Sequence, residues 1–119
     1  MRVMVIVKAT ADSEAGLMPA PDLVAAMGRF NEDLAAAGLL LAGEGVQPSS
    51  KGVRIAFDGP ARSLAQGPFF PSEDLLAGFW LWQVKDLDEA VAWARRCPNP
   101  MPGPSVIEIR PLYEEADFA

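Results

Sequence analysis

Ala77-Gly78-Phe79-Trp80-Leu81-Trp82-Gln83-Val84 is the most apolar stretch of the chain, and its reading decides what the rest must build around it. Along an extended strand successive side chains point to opposite faces, so Phe79 and Leu81 share one face while Trp80, Trp82 and Val84 share the other. Both faces are apolar. The pattern predicts a strand buried on both sides, so a layer of structure has to cover each face.

Working outward toward the C-terminus, Asp86 is placed to cap a helix, Glu89 three residues later can reach back to it, and Leu87, Val91 and Ala94 form the apolar stripe. Arg95 and Arg96 complement the negative end of that helix, and Pro98, Pro100, Pro102 and Pro104 forbid its continuation. Val106 to Arg110 then reads as the last strand, with Ile107 and Ile109 on one face and Glu108 and Arg110 on the other. The expected domain occupies residues 1–113, and the acidic tail at 114–119 is expected to be mobile or to dock on a partner.

Toward the N-terminus, Val3 to Val7 reads as a β-branched strand ended by Lys8, and Thr10 to Gly16 as a small, polar loop. Pro21 suits a first helical position, and Leu23, Met27, Phe30 and Leu34 recur at spacings of four, three and four, which predicts an amphipathic helix stopped near Gly38. Strand character returns at Leu39 to Ala42 before Gly43-Glu44-Gly45. Val53, Ile55 and Phe57 alternate with Arg54, Ala56 and Asp58, and Asp58-Gly59 signals a hairpin that returns through Arg62 to Ala65. Gln66-Gly67-Pro68-Phe69-Phe70-Pro71 is bounded by Gly and Pro and carries two aromatics, which predicts an ordered loop.

The 119 residues fit one globular domain, and 16 acidic against 10 basic side chains leave a net charge of −6. That balance lacks the basic footprint used to bind nucleic acid or anionic membranes. With no His and one Cys, the inventory contains no Ser-His-Asp triad, Cys-His dyad or His-based or paired-Cys zinc site. No bound metal and no cofactor is expected, and Gly43-Glu44-Gly45 lacks both the third glycine and the following helix of a nucleotide-binding turn. No apolar run approaches the roughly 18 residues of a membrane span. Met1 to Lys8 is not followed by a cleavage pattern, and a lone Cys97 fits a reducing compartment, so the expected location is cytoplasmic.

The element order β-α-β, hairpin and loop, then β-α-β predicts an α+β domain with a ferredoxin-like split βαβ antiparallel sheet. Two helices cover only one face of such a sheet, and the economical cover for the other is a second copy of the chain. Burying each further Trp or Phe surface stabilises by roughly 2 to 3 kcal/mol, so a homodimer is expected.

Several segments together resemble the YCII-related domain family in its DGPF-type branch. They are Met1 to Thr10, Met18 to Pro21 with Phe30-Asn31-Glu32, Gly43-Glu44-Gly45 followed by Pro48-Ser49-Ser50, Gly67-Pro68-Phe69, Gly78 to Val84, Glu89-Ala90 with Trp93-Ala94, Arg96-Cys97-Pro98, and Glu108 to Pro111. The resemblance spans nearly the whole chain and implies a ferredoxin-like fold assembled as a dimeric α+β barrel. It also implies an accessory or regulatory role, since members of the branch look like companions of extracytoplasmic-function-type sigma factors. Two departures stand out: Gln66 replaces the Asp that would precede Gly67-Pro68-Phe69, and no His supplies its half of the His-Asp pair carried by the founding members.

Among candidate site residues, Glu44 lies between two glycines at a strand end, where a carboxylate could act as a base; the competing reading is an ion pair at the sheet edge. Arg54, Glu108 and Arg110 project from strands with apolar opposite faces, and Arg110 could clamp a carboxylate or phosphate, or else join an exposed salt-bridge network. Trp80 and Trp82 could wall a cavity or belong to the core or an interface, and Gly67-Pro68-Phe69 could be a lid or a plug. Cys97 reads as a structural thiol. The expected pocket lies at the sheet face near the Gly67 loop and includes Glu44, Arg54, Gly67, Pro68, Phe69, Trp82 and Arg110, suited to a small anionic or polar metabolite. The expected function is non-catalytic ligand binding or an accessory role. The alternative is a cofactor-independent lyase, isomerase or hydrolase acting on a small organic acid, with Glu44 as general base and Arg110 as anion clamp.

Overall fold

The computed structural model describes residues 1–119. Six strands and three helices follow one another as β1 (Arg2–Lys8), α1 (Ala11–Glu14), α2 (Pro21–Ala36), β2 (Leu40–Gly45), β3 (Val53–Asp58), β4 (Ala61–Gln66), β5 (Leu76–Gln83), α3 (Leu87–Ala94) and β6 (Ile107–Pro111). Four of the strands form an antiparallel sheet in the order β2-β5-β1-β6, and β3 and β4 pair with each other as a separate ribbon. This is the α+β, split βαβ ferredoxin-like arrangement.

The alternation in β5 resolves into two unlike faces. Trp80 and Trp82 turn toward the helices, where they join Val3, Val5, Phe30, Leu34 and Ala90 in the core. Phe30 meets Trp80 edge-on at 5.9 Å between ring centres and Trp82 at 6.2 Å, a geometry that aromatic quadrupoles favour. The indole N–H of Trp80 donates to Asn31 Oδ1 at 2.8 Å. Phe79 and Leu81, on the other face, are only partly buried within the single chain. The expectation of burial on both sides therefore holds for one face of the chain alone, because both long helices lie on that side.

Local details differ from the sequence reading for identifiable reasons. Thr10 caps the short helix α1 where a loop was expected: its hydroxyl accepts from Ser13 N while Ser13 Oγ accepts from Thr10 N. Asp86 does cap α3, accepting from Glu89 N at 2.8 Å, but the Glu89 carboxylate reaches one residue further back, to Lys85 N. The β3–β4 turn is centred on Gly59-Pro60 rather than Asp58-Gly59, since Asp58 pairs with Ala61. Proline fixes its own φ near −65°, so the second central position cannot take the positive φ of a type I′ turn, and Gly59 alone supplies it at +56°. The tail is anchored at its start, where Glu114 accepts from Arg2 Nε and Nη2 at 3.0 Å each, and Tyr113 stacks on Phe118 with both rings largely exposed.

Candidate functional site

Register defines the face of the sheet that the helices leave open. Glu44 on β2 stands opposite Phe79 on β5, Phe79 opposite Ile6 on β1, and Ile6 opposite Glu108 on β6. The next row runs Ala42, Leu81, Met4, Arg110. The centre of this face is apolar and its two edges are charged. Glu44 and Arg110 share the face yet occupy opposite edge strands, three strand spacings or about 14 Å apart. Arg110 is largely exposed and lies 3.9 Å from Glu108 Oε2, a distance and setting in which an ion pair contributes little. Trp82 is on the other side of the sheet, fully buried, with its indole N–H unpartnered among apolar neighbours. One chain thus does not bring Glu44, Arg110 and Trp82 together.

Of the expected pocket residues only Phe69 lines a cleft, at the end of the sheet where β2 leaves it, while Arg54 and Gly67 contact that cleft's wall. A cleft of about 630 Å³ is lined by Glu14, the 45–49 segment, Lys51, Gly52, Phe69, Leu75 and Leu76. Glu14 accepts from Ser49 N at 2.9 Å and from Ser49 Oγ, and the same hydroxyl oxygen accepts from Phe69 N at 2.9 Å. Three loops distant in sequence are joined at one hydroxyl. Gly67 is drawn against them by a bond from its N–H to Gly52 O at 3.0 Å, and a Cβ there would sit 1.7 Å from the Ser49 carbonyl oxygen, so only glycine permits this approach. The Arg54 guanidinium lies 4.0 Å above the Phe69 ring, a cation–π contact that places a positive charge beside the cleft. Pro68 links Gly67 to Phe69 at the exposed rim, and Glu44 directly precedes Gly45 of the cleft wall.

This assembly decides what the cleft can do. Ser49 donates its backbone N–H to one Glu14 oxygen and its hydroxyl proton to the other, so the pair holds the cleft wall in place. The lining combines Glu14, Gln47 and Lys51 with apolar Val46, Phe69, Leu75 and Leu76, and Arg54 adds a second cation behind the Phe69 ring. Glu14 was not singled out from sequence because its loop reads only as small and polar, and its partner Ser49 is 35 residues away. A shallower groove of about 450 Å³ runs between α3 and β6, bounded by Leu87, Val91, Ala94, Arg95, Ile107 and Ile109, and offers only one polar side chain. Burial pushes the Cys97 thiol up to about 11, and its Sγ lies 3.2 Å from Pro98 O, the setting of a structural thiol. No helix is long and apolar enough to cross a membrane.

Comparison with known proteins agrees with this architecture. In structure the chain is similar to the 5-chloro-2-hydroxyhydroquinone dehydrochlorinase of Burkholderia phenoliruptrix AC1100, solved in complex with 2,5-dihydroxybenzoquinone. The TM-score is 0.55 and the identity 15%, over 98% of each chain. That likeness is one of fold. Among curated proteins none matches the chain. The sequence signature of the YCII-related domain matches residues 1–116, essentially the whole fold described above, and the chain belongs to the YCII-related domain family.

Proposed function

We propose that this protein is a homodimeric small-ligand-binding protein with an accessory or regulatory role, whose ligand is a small organic anion with an apolar body. The observation that carries the reading is the Glu14–Ser49–Phe69 set of bonds, which holds the cleft wall in place beside the Arg54 cation. A positive charge beside an aromatic ring then favours a carboxylate attached to a ring or short chain. Dimerisation is supported by the open sheet face, where Met4, Ile6, Phe79 and Leu81 form an apolar centre between charged edges.

Calorimetric titration with benzoate, 2,5-dihydroxybenzoate and succinate tests the ligand class. The expected result is saturable binding of at least one of them, weakened about tenfold or more in Arg54→Met by loss of the cation. No binding of any of the three, or equal binding by Arg54→Met, contradicts it.

A second reading, a small lyase, is favoured by the fold neighbour, a dehydrochlorinase that holds a hydroxylated quinone. On that reading Glu44 of one copy would have to meet Arg110 of another across the open face. Conversion of a bound probe, lost in Glu44→Gln, would select it.

A further inference from the structure

We propose that the β3–β4 ribbon is an arm that clasps a second copy of this chain, an inference that rests on the homodimer reading above. The ribbon pairs only with itself. Its register puts Val53, Ile55 and Phe57 from β3 and Leu64 from β4 on one side, 53 to 72% exposed. A lone two-stranded ribbon is marginal in water, and this one leaves its apolar side uncovered.

The shape of the chain is that of an unfinished assembly. Its radius of gyration is 16.2 Å, where a compact domain of this length has about 13.5 Å. The extents are 46 × 45 × 19 Å, so the molecule is a slab, and the ribbon stands apart from the four-stranded sheet. The ribbon is nonetheless rigid. Arg62 lies 4.5 Å over the Phe57 ring and donates to the carbonyls of Gly59 and Ala61 at 2.8 Å, which locks the tip. At the root, Gly67 against Ser49 and Arg54 over Phe69 fix the ribbon to the cleft wall. An arm fixed at its root and braced within its own turn loses less conformational freedom on docking than a loose loop would.

Charge identifies the partner. Residues 53–66 carry Arg54 and Arg62 against Asp58, a net +1, so the rest of the chain holds −7 of the total −6. A basic arm is complementary to an acidic body, and another copy supplies such a body together with an open apolar sheet face. Two-fold exchange covers both arms at once and closes the assembly, whereas any other occupant leaves one arm or one sheet face bare.

Sedimentation equilibrium of the full chain at micromolar concentration tests this, comparing wild type with an Ile55→Ser/Phe57→Ser variant and with Leu81→Glu on the open sheet face. The expected result is a wild-type dimer, dissociation of Leu81→Glu, and dimer affinity weakened at least about 30-fold in the arm variant by loss of two apolar anchors. Near-ultraviolet circular dichroism of the buried tryptophans should be unchanged in the arm variant, which shows that its fold is intact. Hydrogen exchange gives a readout independent of the substitutions: backbone amides of 53–66 should be protected in the wild-type dimer and exposed in Leu81→Glu. A wild-type dimer with arm-variant affinity unchanged and rapid exchange at 53–66 overturns the arm while leaving the dimer standing. A wild-type monomer overturns both, and protection of 53–66 that appears only on adding a different protein overturns the choice of partner.

Discussion

The Glu14 carboxylate holds Ser49 by both its backbone N–H and its hydroxyl, and through that hydroxyl it holds the backbone of Phe69. The loop after β1, the turn after β2 and the loop after β4 are thereby one unit. Ser49→Ala leaves Phe69 N–H without its acceptor and Glu14 with one donor fewer. The expected cost is about 1 to 3 kcal/mol of stability, read from urea denaturation. A cost near zero would show that the three loops are held by other contacts.

The approach of Gly67 to Ser49 makes a second, sharper comparison. Gly67→Ala introduces a Cβ against the Ser49 carbonyl oxygen and should destabilise by about 1 to 3 kcal/mol while distorting the cleft. Gly52→Ala meets that same oxygen only at 3.5 Å, an ordinary contact, and should change stability by no more than about 0.5 kcal/mol. Equal effects at the two positions would contradict the close approach.

Trp82 and Arg110 separate core from surface. Trp82→Ala empties a fully buried site and should cost about 3 to 5 kcal/mol, whereas Arg110→Met removes one end of an exposed 3.9 Å ion pair and should leave chain stability within about 0.5 kcal/mol. Thermal denaturation of the two variants checks both values. A large stability loss in Arg110→Met would assign that side chain an interaction that its exposed position does not provide.

Cys97 sets an alkaline limit. Its folded-state thiol titrates near 11 against an ordinary value of 9.0, so burial favours the protonated form. Stability from this group is complete below pH about 9 and is lost as pH rises toward about 11, because the unfolded chain ionises first. Alkylation by iodoacetamide should follow the same titration, remaining slow at pH 8 and rising toward the high midpoint. A Cys97→Ser variant with an unchanged alkaline stability profile would contradict the assignment.

The legible part of the fold was the part written in period and caps. Val3 to Val7, the 23–34 stripe, the 77–84 alternation and the Asp86 cap all announce their elements because each is governed by neighbours within a turn or a strand. Parity along β2 and β6 likewise places Glu44 and Arg110 on faces. It says nothing of lateral distance, which is set by strand order, and that order separates the two residues by β5 and β1. The Gly67 loop was recognisable from its glycine and aromatics, but its anchor was not. Glu14 and Ser49 are polar residues in polar loops, and nothing local distinguishes a carboxylate facing solvent from one facing a serine 35 residues on. The docking of the tail on Arg2 escaped for the same reason, its two partners standing at opposite ends of the chain.

The small-anion site proposed above is the Glu14–Ser49–Phe69 cleft with Arg54 beside it. Titration of the ¹⁵N-labelled protein with benzoate and 2,5-dihydroxybenzoate, followed by amide shifts, tests it most directly. Saturating shifts are expected at Val46, Ser49, Lys51, Gly52 and Phe69, with Ala42, Leu81 and Arg110 unmoved. Saturating shifts centred on Ala42, Leu81 and Arg110, with the Ser49 and Phe69 amides unmoved, would contradict it and move the site to the open face of the sheet.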